Sequence, residues 1–139
     1  MKVMNANLGK TVVLKIESGE DLLAGITEGA KQAGIPTGII LNGIGSIAKY
    51  HLHVVETSNL PPGNIFWKDT APFDVDLING YIIEGRVHAH VAVSNEKATF
   101  GGHLEPGCEA LTFCAVTVAE TVDADFSQTD TYAGQQPRK

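Results

Sequence analysis

Between Thr11 and Glu17 apolar and polar side chains alternate, with Val12, Leu14 and Ile16 on one side and Thr11, Lys15 and Glu17 on the other. A period of two is that of a strand with one face buried. The period then lengthens. Ser18-Gly19-Glu20-Asp21 supplies an acidic N-terminal turn, Leu22, Leu23, Ile26, Ala30 and Ala33 recur at helical spacing, and Gly34 with Pro36 ends the run. This predicts one helix, capped at both ends. The apolar run Thr37 to Leu41 and the alternating stretch Tyr50 to Glu56 predict two more strands. Between them, the glycines of Asn42-Gly43-Ile44-Gly45 mark a bend or bulge.

Residues Thr57 to Pro72 hold Pro61, Pro62, Gly63 and Pro72 with little periodicity, the pattern of a long surface loop. Strand alternation returns from Phe73 to Ile83, reverses at a two-residue hairpin turn, Glu84-Gly85, and runs back from Arg86 to Val93. A turn at Ser94-Asn95-Glu96-Lys97 precedes Ala98 to Leu104, and Leu111 to Thr121 completes the strands. Asp123 to Lys139 is polar and poor in apolar residues, a tail expected to be frayed or disordered. The expected fold class is therefore α+β: a mostly antiparallel sheet of about six or seven strands with one main helix packed on it. Residues 1–122 form the single domain and residues 123–139 the tail.

Composition narrows the function classes. The 139 residues are 43% hydrophobic and 19% charged, enough apolar material for one core and too much for intrinsic disorder. The clean apolar runs, such as Gly38 to Leu41, fall far short of the roughly 18 residues a membrane span needs, so no membrane partner is expected. Ten basic against 16 acidic residues give a formal charge of -6. Only Arg86 and Arg138 are arginines, and such a field repels phosphate, which disfavours nucleic acid as a partner. The N-terminus has no apolar stretch followed by a small-residue cleavage site, so the expected location is cytoplasmic. In that setting Cys108 and Cys114 read as buried thiols.

The chemistry lies in the histidines. Four of the five form two pairs, His51-Leu52-His53 and His88-Ala89-His90. Residues two apart on a strand share a face, so each pair can present two imidazoles to one cation. The second pair has a third ligand within reach, because the chain turns and returns as Gly101-Gly102-His103, with the glycines free to bulge or approach closely. Three histidines, His88, His90 and His103, leave one coordination position open, the arrangement of catalytic rather than structural zinc, able to polarise a carbonyl. The alternative is that His88 and His90 line a solvated strand face and His103 is a turn residue. For His51 and His53 no third ligand lies nearby in sequence, and both read as half-exposed strand residues. Asp74, Asp76, Glu84, Glu105 and Glu109 are carboxylates near the cluster in sequence, any of which could serve as a general base or as the hydrogen-bond partner behind an imidazole, and none is singled out as catalytic. Gly43-Ile44-Gly45-Ser46-Ile47-Ala48 has the spacing of a dinucleotide fingerprint, but a strand rather than a helix follows it, so no nucleotide cofactor is expected.

In order and residue content the chain resembles the plants-and-prokaryotes-conserved (PPC) domain family from about Thr11 to Thr121. The matching marks are Ser18 to Asp21 opening the helix, Asn42 to Gly45, Phe73-Asp74-Val75 leading to Asn79-Gly80, His88-Ala89-His90, and Gly101 to Leu104. The resemblance implies an antiparallel sheet with flanking helix, a homotrimer, and metal binding, with zinc the expected cofactor, through His88, His90 and His103. On this reading the protein acts on or binds a small molecule at a zinc site, either as a hydrolase or lyase or as a binding module without turnover. The alternative is a DNA-binding regulatory role. Plant members bind DNA through separate Arg-Gly-Arg-Pro segments, and this chain contains none.

Overall fold

The computed structural model describes residues 1–135, so the last four residues of the polar tail lie outside the described residues. Six strands and one helix follow in the order β1 (Asn7–Glu17), α1 (Leu22–Gln32), β2 (Gly38–Val55), β3 (Asn64–Ile83), β4 (Arg86–Ser94), β5 (Thr99–Leu104) and β6 (Glu109–Val122). All pair antiparallel in one sheet, in the order β1-β6-β2-β3-β4-β5. This is the expected α+β class. No helix among the described residues is long and apolar enough to cross a membrane.

The helix begins where the acidic turn places it. Asp21 adopts extended backbone and its Oδ1 accepts from the Ala24 amide at 2.9 Å, while its Oδ2 accepts from Gly107 N at 2.6 Å. One carboxylate thus caps the helix and ties it to the turn before β6. Leu22, Ile26 and Ala30, spaced by four, form the buried stripe. They join Ile16 of β1, Ile40, Ile47 and Leu52 of β2, and Val116 and Val118 of β6 in a continuous core. Cys108 and Cys114 are free thiols within that core, and burial pushes the Cys108 thiol up to about 11.

The two strands expected on either side of Asn42 to Gly45 are one strand of 18 residues. Its pairing with β6 slips between Ile40 and Asn42, between Gly45 and Ile47, and again between Ile47 and Lys49. At Gly45 φ is 154°, and a Cβ there would collide with the Phe113 carbonyl oxygen, so the bend needs glycine. The long loop expected over 57–72 is shorter, because β3 already begins at Asn64. The prolines misled the pattern. Ile47 pairs with Phe73 and Lys49 with Thr70, so Ala71 and Pro72 together oppose Ala48 in a bulge, where a missing N–H costs the ladder nothing. The Glu84-Gly85 hairpin is as expected, with positive φ at both residues (50° and 80°).

The strand lengths close part of the sheet on itself. The first part of β2 lies between β6 and β3, while Leu52 and His53 near its end pair with Leu104 and His103 of β5. Strands β2, β3, β4 and β5 therefore form a closed cycle of pairings, with Val87, Ala89, Val91 and Leu104 turned into the core. The cap at Asp21 yields the first prediction. Asp21→Ala should lower unfolding free energy by about 1–2 kcal/mol in urea titration, and Asp21→Asn by less; an unchanged midpoint for the alanine variant would contradict the double role.

Candidate metal centre

Because β4 sends Val87, Ala89 and Val91 inward, His88 and His90 stand on its outer face. The same alternation on β5 buries Gly102 and Leu104 and turns His103 outward. Gly101 and Gly102 let β5 fit between its neighbours. A Cβ on Gly101 would lie 2.5 Å from the Val91 carbonyl oxygen of β4, and one on Gly102 would lie 2.6 Å from the His53 carbonyl oxygen of β2. Register then sets a row across the strands: Asn79 opposite His90, His90 opposite His103, and His103 opposite His53. His88 sits one pleat along from His90.

The structure brings the three expected residues together. Ring centres of His88 and His103 are 4.7 Å apart, of His90 and His103 5.7 Å, and of His88 and His90 5.8 Å. It adds a fourth histidine, since His53 stacks on His103 at 4.4 Å. Glu105 links this pair, its Oε1 accepting from His53 Nδ1 at 2.6 Å. The same oxygen lies 3.1 Å from His103 Nδ1, a buried nitrogen that has no aligned hydrogen bond. His53, His103 and Glu105 each offer a ligand atom within 4.8 Å of the others. On the other side, Asp130 Oδ2 accepts from His88 Nδ1 at 2.7 Å and from Arg86 Nη2 at 2.8 Å. His51 stands apart, its Nδ1 donating to the Pro106 carbonyl at 2.7 Å.

Sequence reasoning named Glu105 only as one of five carboxylates that could back an imidazole, read His53 as a half-exposed strand residue, and did not reach Asp130. The pairing that carries His53 to His103 spans 50 residues of chain, and a carboxylate in a polar tail carries no local signal. Hydrogen bonds to carboxylates, which only accept, select for neutral His53 and His88 rings the tautomer with its proton on Nδ1 and its lone pair on Nε2. Crowding disfavours protonation of His90 and His103. Burial first, then the neighbouring His88 and His53, lower His90, and the same causes lower His103 to about 4. Neutral imidazoles backed by carboxylates are the donor set that zinc and its neighbours in the first transition row take. Beside them opens a cavity of about 550 Å³, with Ile39, Leu41 and Tyr81 as its apolar side and Asn79, His88 and Asp130 among its polar groups.

Residues 4–122 match the family defined as the Plants and Prokaryotes Conserved (PCC) domain. The chain belongs to this family. Its fold is similar to that of the plant- and prokaryote-conserved (PPC) protein of Pyrococcus horikoshii, with 27% identity, a TM-score of 0.73, and 90% of this chain and 87% of that one covered. It is also similar to a metal-containing protein of Archaeoglobus fulgidus, with 22% identity, a TM-score of 0.75, and 88% and 87% covered. A Bacteroides thetaiotaomicron structure, provisionally described as a DNA-binding protein, matches at 19% identity and a TM-score of 0.67, with 86% of each chain covered. In sequence the chain is 25% identical over 116 residues to the bifunctional protein GlmU of Synechococcus sp. (strain JA-3-3Ab), covering 83% of this chain and 18% of that protein. The chain thus spans under a fifth of that relative's length.

The low value at His103 sets how the metal-free PPC domain responds to acid. Above pH 6.5 the ring is neutral folded and unfolded alike; below it the unfolded chain binds a proton that the folded chain refuses until about pH 4. Stability of the metal-free protein should therefore fall as pH drops from 6.5 towards 4. His103→Gln should flatten that decline in urea midpoints compared at pH 7 and pH 5; an equal slope in both proteins would contradict the assignment.

Proposed function

We propose that this PPC-domain protein holds a metal ion, zinc fitting best, through His88, His90 and His103, and that the adjoining cavity takes a small molecule. The observation that supports the reading is the closeness of the three ring centres, although the ligand atoms that lie within 4.8 Å of one another are those of His53, His103 and Glu105. Imidazoles sharing one zinc at about 2.0–2.1 Å per nitrogen stand with ring centres roughly 5 Å apart, and the three centres here are 4.7 to 5.8 Å apart. The buried His103 Nδ1 without an aligned partner and the carboxylate behind His88 also fit a metal ligand set. Bound there, zinc would supply Lewis acidity. His53 then stacks on His103 and has Glu105 as its own hydrogen-bond partner, both outside the proposed ligand set.

A cytoplasmic homotrimer is part of this reading. The trimer rests on the family resemblance and on the apolar side chains left exposed along β2, β3 and β6, among them Ile44, Leu77 and Phe113. The small-molecule role, with or without turnover as a hydrolase or lyase, is supported by the mixed apolar and polar lining of the cavity. The DNA-binding alternative draws on the provisional description of the Bacteroides relative. Against it stand the net charge of -6 and the engagement of Arg86 with Asp130.

Elemental analysis of the untagged protein tests the ligand set. The unaltered chain should carry about one zinc per protomer and lose it to a chelator, as a site of this type does. His90→Ala should abolish stoichiometric binding, whereas His53→Ala should only weaken it. Retention in His90→Ala with loss in both His53→Ala and Glu105→Gln would move the metal to the His53, His103 and Glu105 group; no zinc in any variant, even after reconstitution, would refute the reading.

A further inference from the structure

One side chain that reaches the histidine cluster lies beyond the residues that match the family, which end at 122. After β6 the chain turns at Asp123, where φ is 57°, and Phe126 drops into the surface with only 5% of its area exposed. Its ring meets Tyr81 of β3 edge to face, with centres 5.5 Å apart. A turn closed by Thr129 N donating to the Phe126 carbonyl at 2.9 Å then delivers Asp130. The Asp130 side chain is 9% exposed, and its Oδ2 receives both Arg86 Nη2 and His88 Nδ1. Arg86 and His88 are two apart on β4 and share its outer face, which is why a single oxygen can serve both. Thr129 and Asp130 also line the cavity beside His88 and His90.

The contact has a definite chemical consequence. A carboxylate cannot donate, so it selects the imidazole form with its proton on Nδ1 and leaves the Nε2 lone pair free. Arg86 donates to the same carboxylate oxygen as His88, and the buried Phe126 anchors the backbone that leads to it. Buried charge of this kind is costly without partners, and Arg86 and His88, two that Asp130 has, come from the strand that bears the site.

We propose that Asp130 is a positioning residue for the metal centre, fixing the ring and tautomer of His88, and that the segment 123–130 is thereby a working part of the site. This rests on the metal reading above. It also assigns a role to a part of the chain that the sequence pattern treats as a tail.

Two measurements on the full chain test it. Long-range proton–nitrogen NMR of the zinc-free protein at pH 8 reads the tautomer of His88 directly. The unaltered chain should show the proton on Nδ1; Asp130→Ala should shift His88 towards the Nε2–H form, and Asp130→Asn, whose carbonyl still accepts, should retain Nδ1–H. Zinc titration against a chelating dye should show affinity weakened about 10- to 100-fold in Asp130→Ala. Asp125→Ala serves as the control, since it removes a carboxylate from the same segment that accepts from Ser127 N rather than from His88, and its affinity should stay close to that of the unaltered chain. An unchanged His88 tautomer in Asp130→Ala, or equal loss of zinc affinity in the Asp125 control, would overturn the proposal. If the unaltered chain takes no zinc at all, the metal reading falls and this role falls with it; a chain that binds zinc equally well with and without Asp130 sinks the proposal alone.

Discussion

The pairing of the six-residue β5 with the far end of β2 is the constraint on which the site depends. Without it, β5 would be the edge of an open sheet, and His53 would keep Phe66 of β3 beside it but lose the ring of His103. With it, β5 is paired on both sides, and His90, His103 and His53 fall in one row across three strands. The fit is made possible by two consecutive glycines whose missing Cβ atoms leave room for carbonyl oxygens on β4 and β2. A side chain at either position would have to push a backbone aside.

Closure also explains the electrostatics. Four neighbouring imidazoles resist carrying charge together, and at His90 and His103 burial and mutual repulsion both oppose protonation. The carboxylates of Glu105 and Asp130 stand on opposite sides of the cluster, each receiving an Nδ1–H. Between them lie the imidazole nitrogens, so that carboxylate charge flanks neutral lone pairs, the donor chemistry on which the proposed cation site rests. The same acidity that pervades the whole chain, at a formal charge of -6, favours a cation or a neutral molecule over phosphate.

Much of the fold was legible because it is locally written. Val12, Leu14 and Ile16 announce β1 by alternation, and Asp21, Leu22, Ile26 and Ala30 announce the helix by cap and period. Glu84-Gly85 announces its hairpin by the backbone that a two-residue turn demands. Pro72 misled, because a proline in a bulge looks the same in sequence as a proline in a loop. Among the site residues, His88, His90 and His103 could be grouped because two share a strand and the third follows one turn later. His53 could not, since only the return of β5 to β2 brings it near, and nothing around Leu52 encodes that partner. Asp130 was harder still: its role depends on Phe126 seating against Tyr81, a contact between a polar segment and a strand nearly 50 residues earlier.

The central claim is that three histidine nitrogens hold one metal ion at this junction of strands. X-ray absorption at the zinc edge, on the reconstituted full chain, tests it most directly. The account predicts a first shell containing three imidazole nitrogens at about 2.0–2.1 Å, with the outer-shell scattering that imidazole rings produce. A shell of oxygens with no more than one imidazole, or one that contains sulfur, would contradict it.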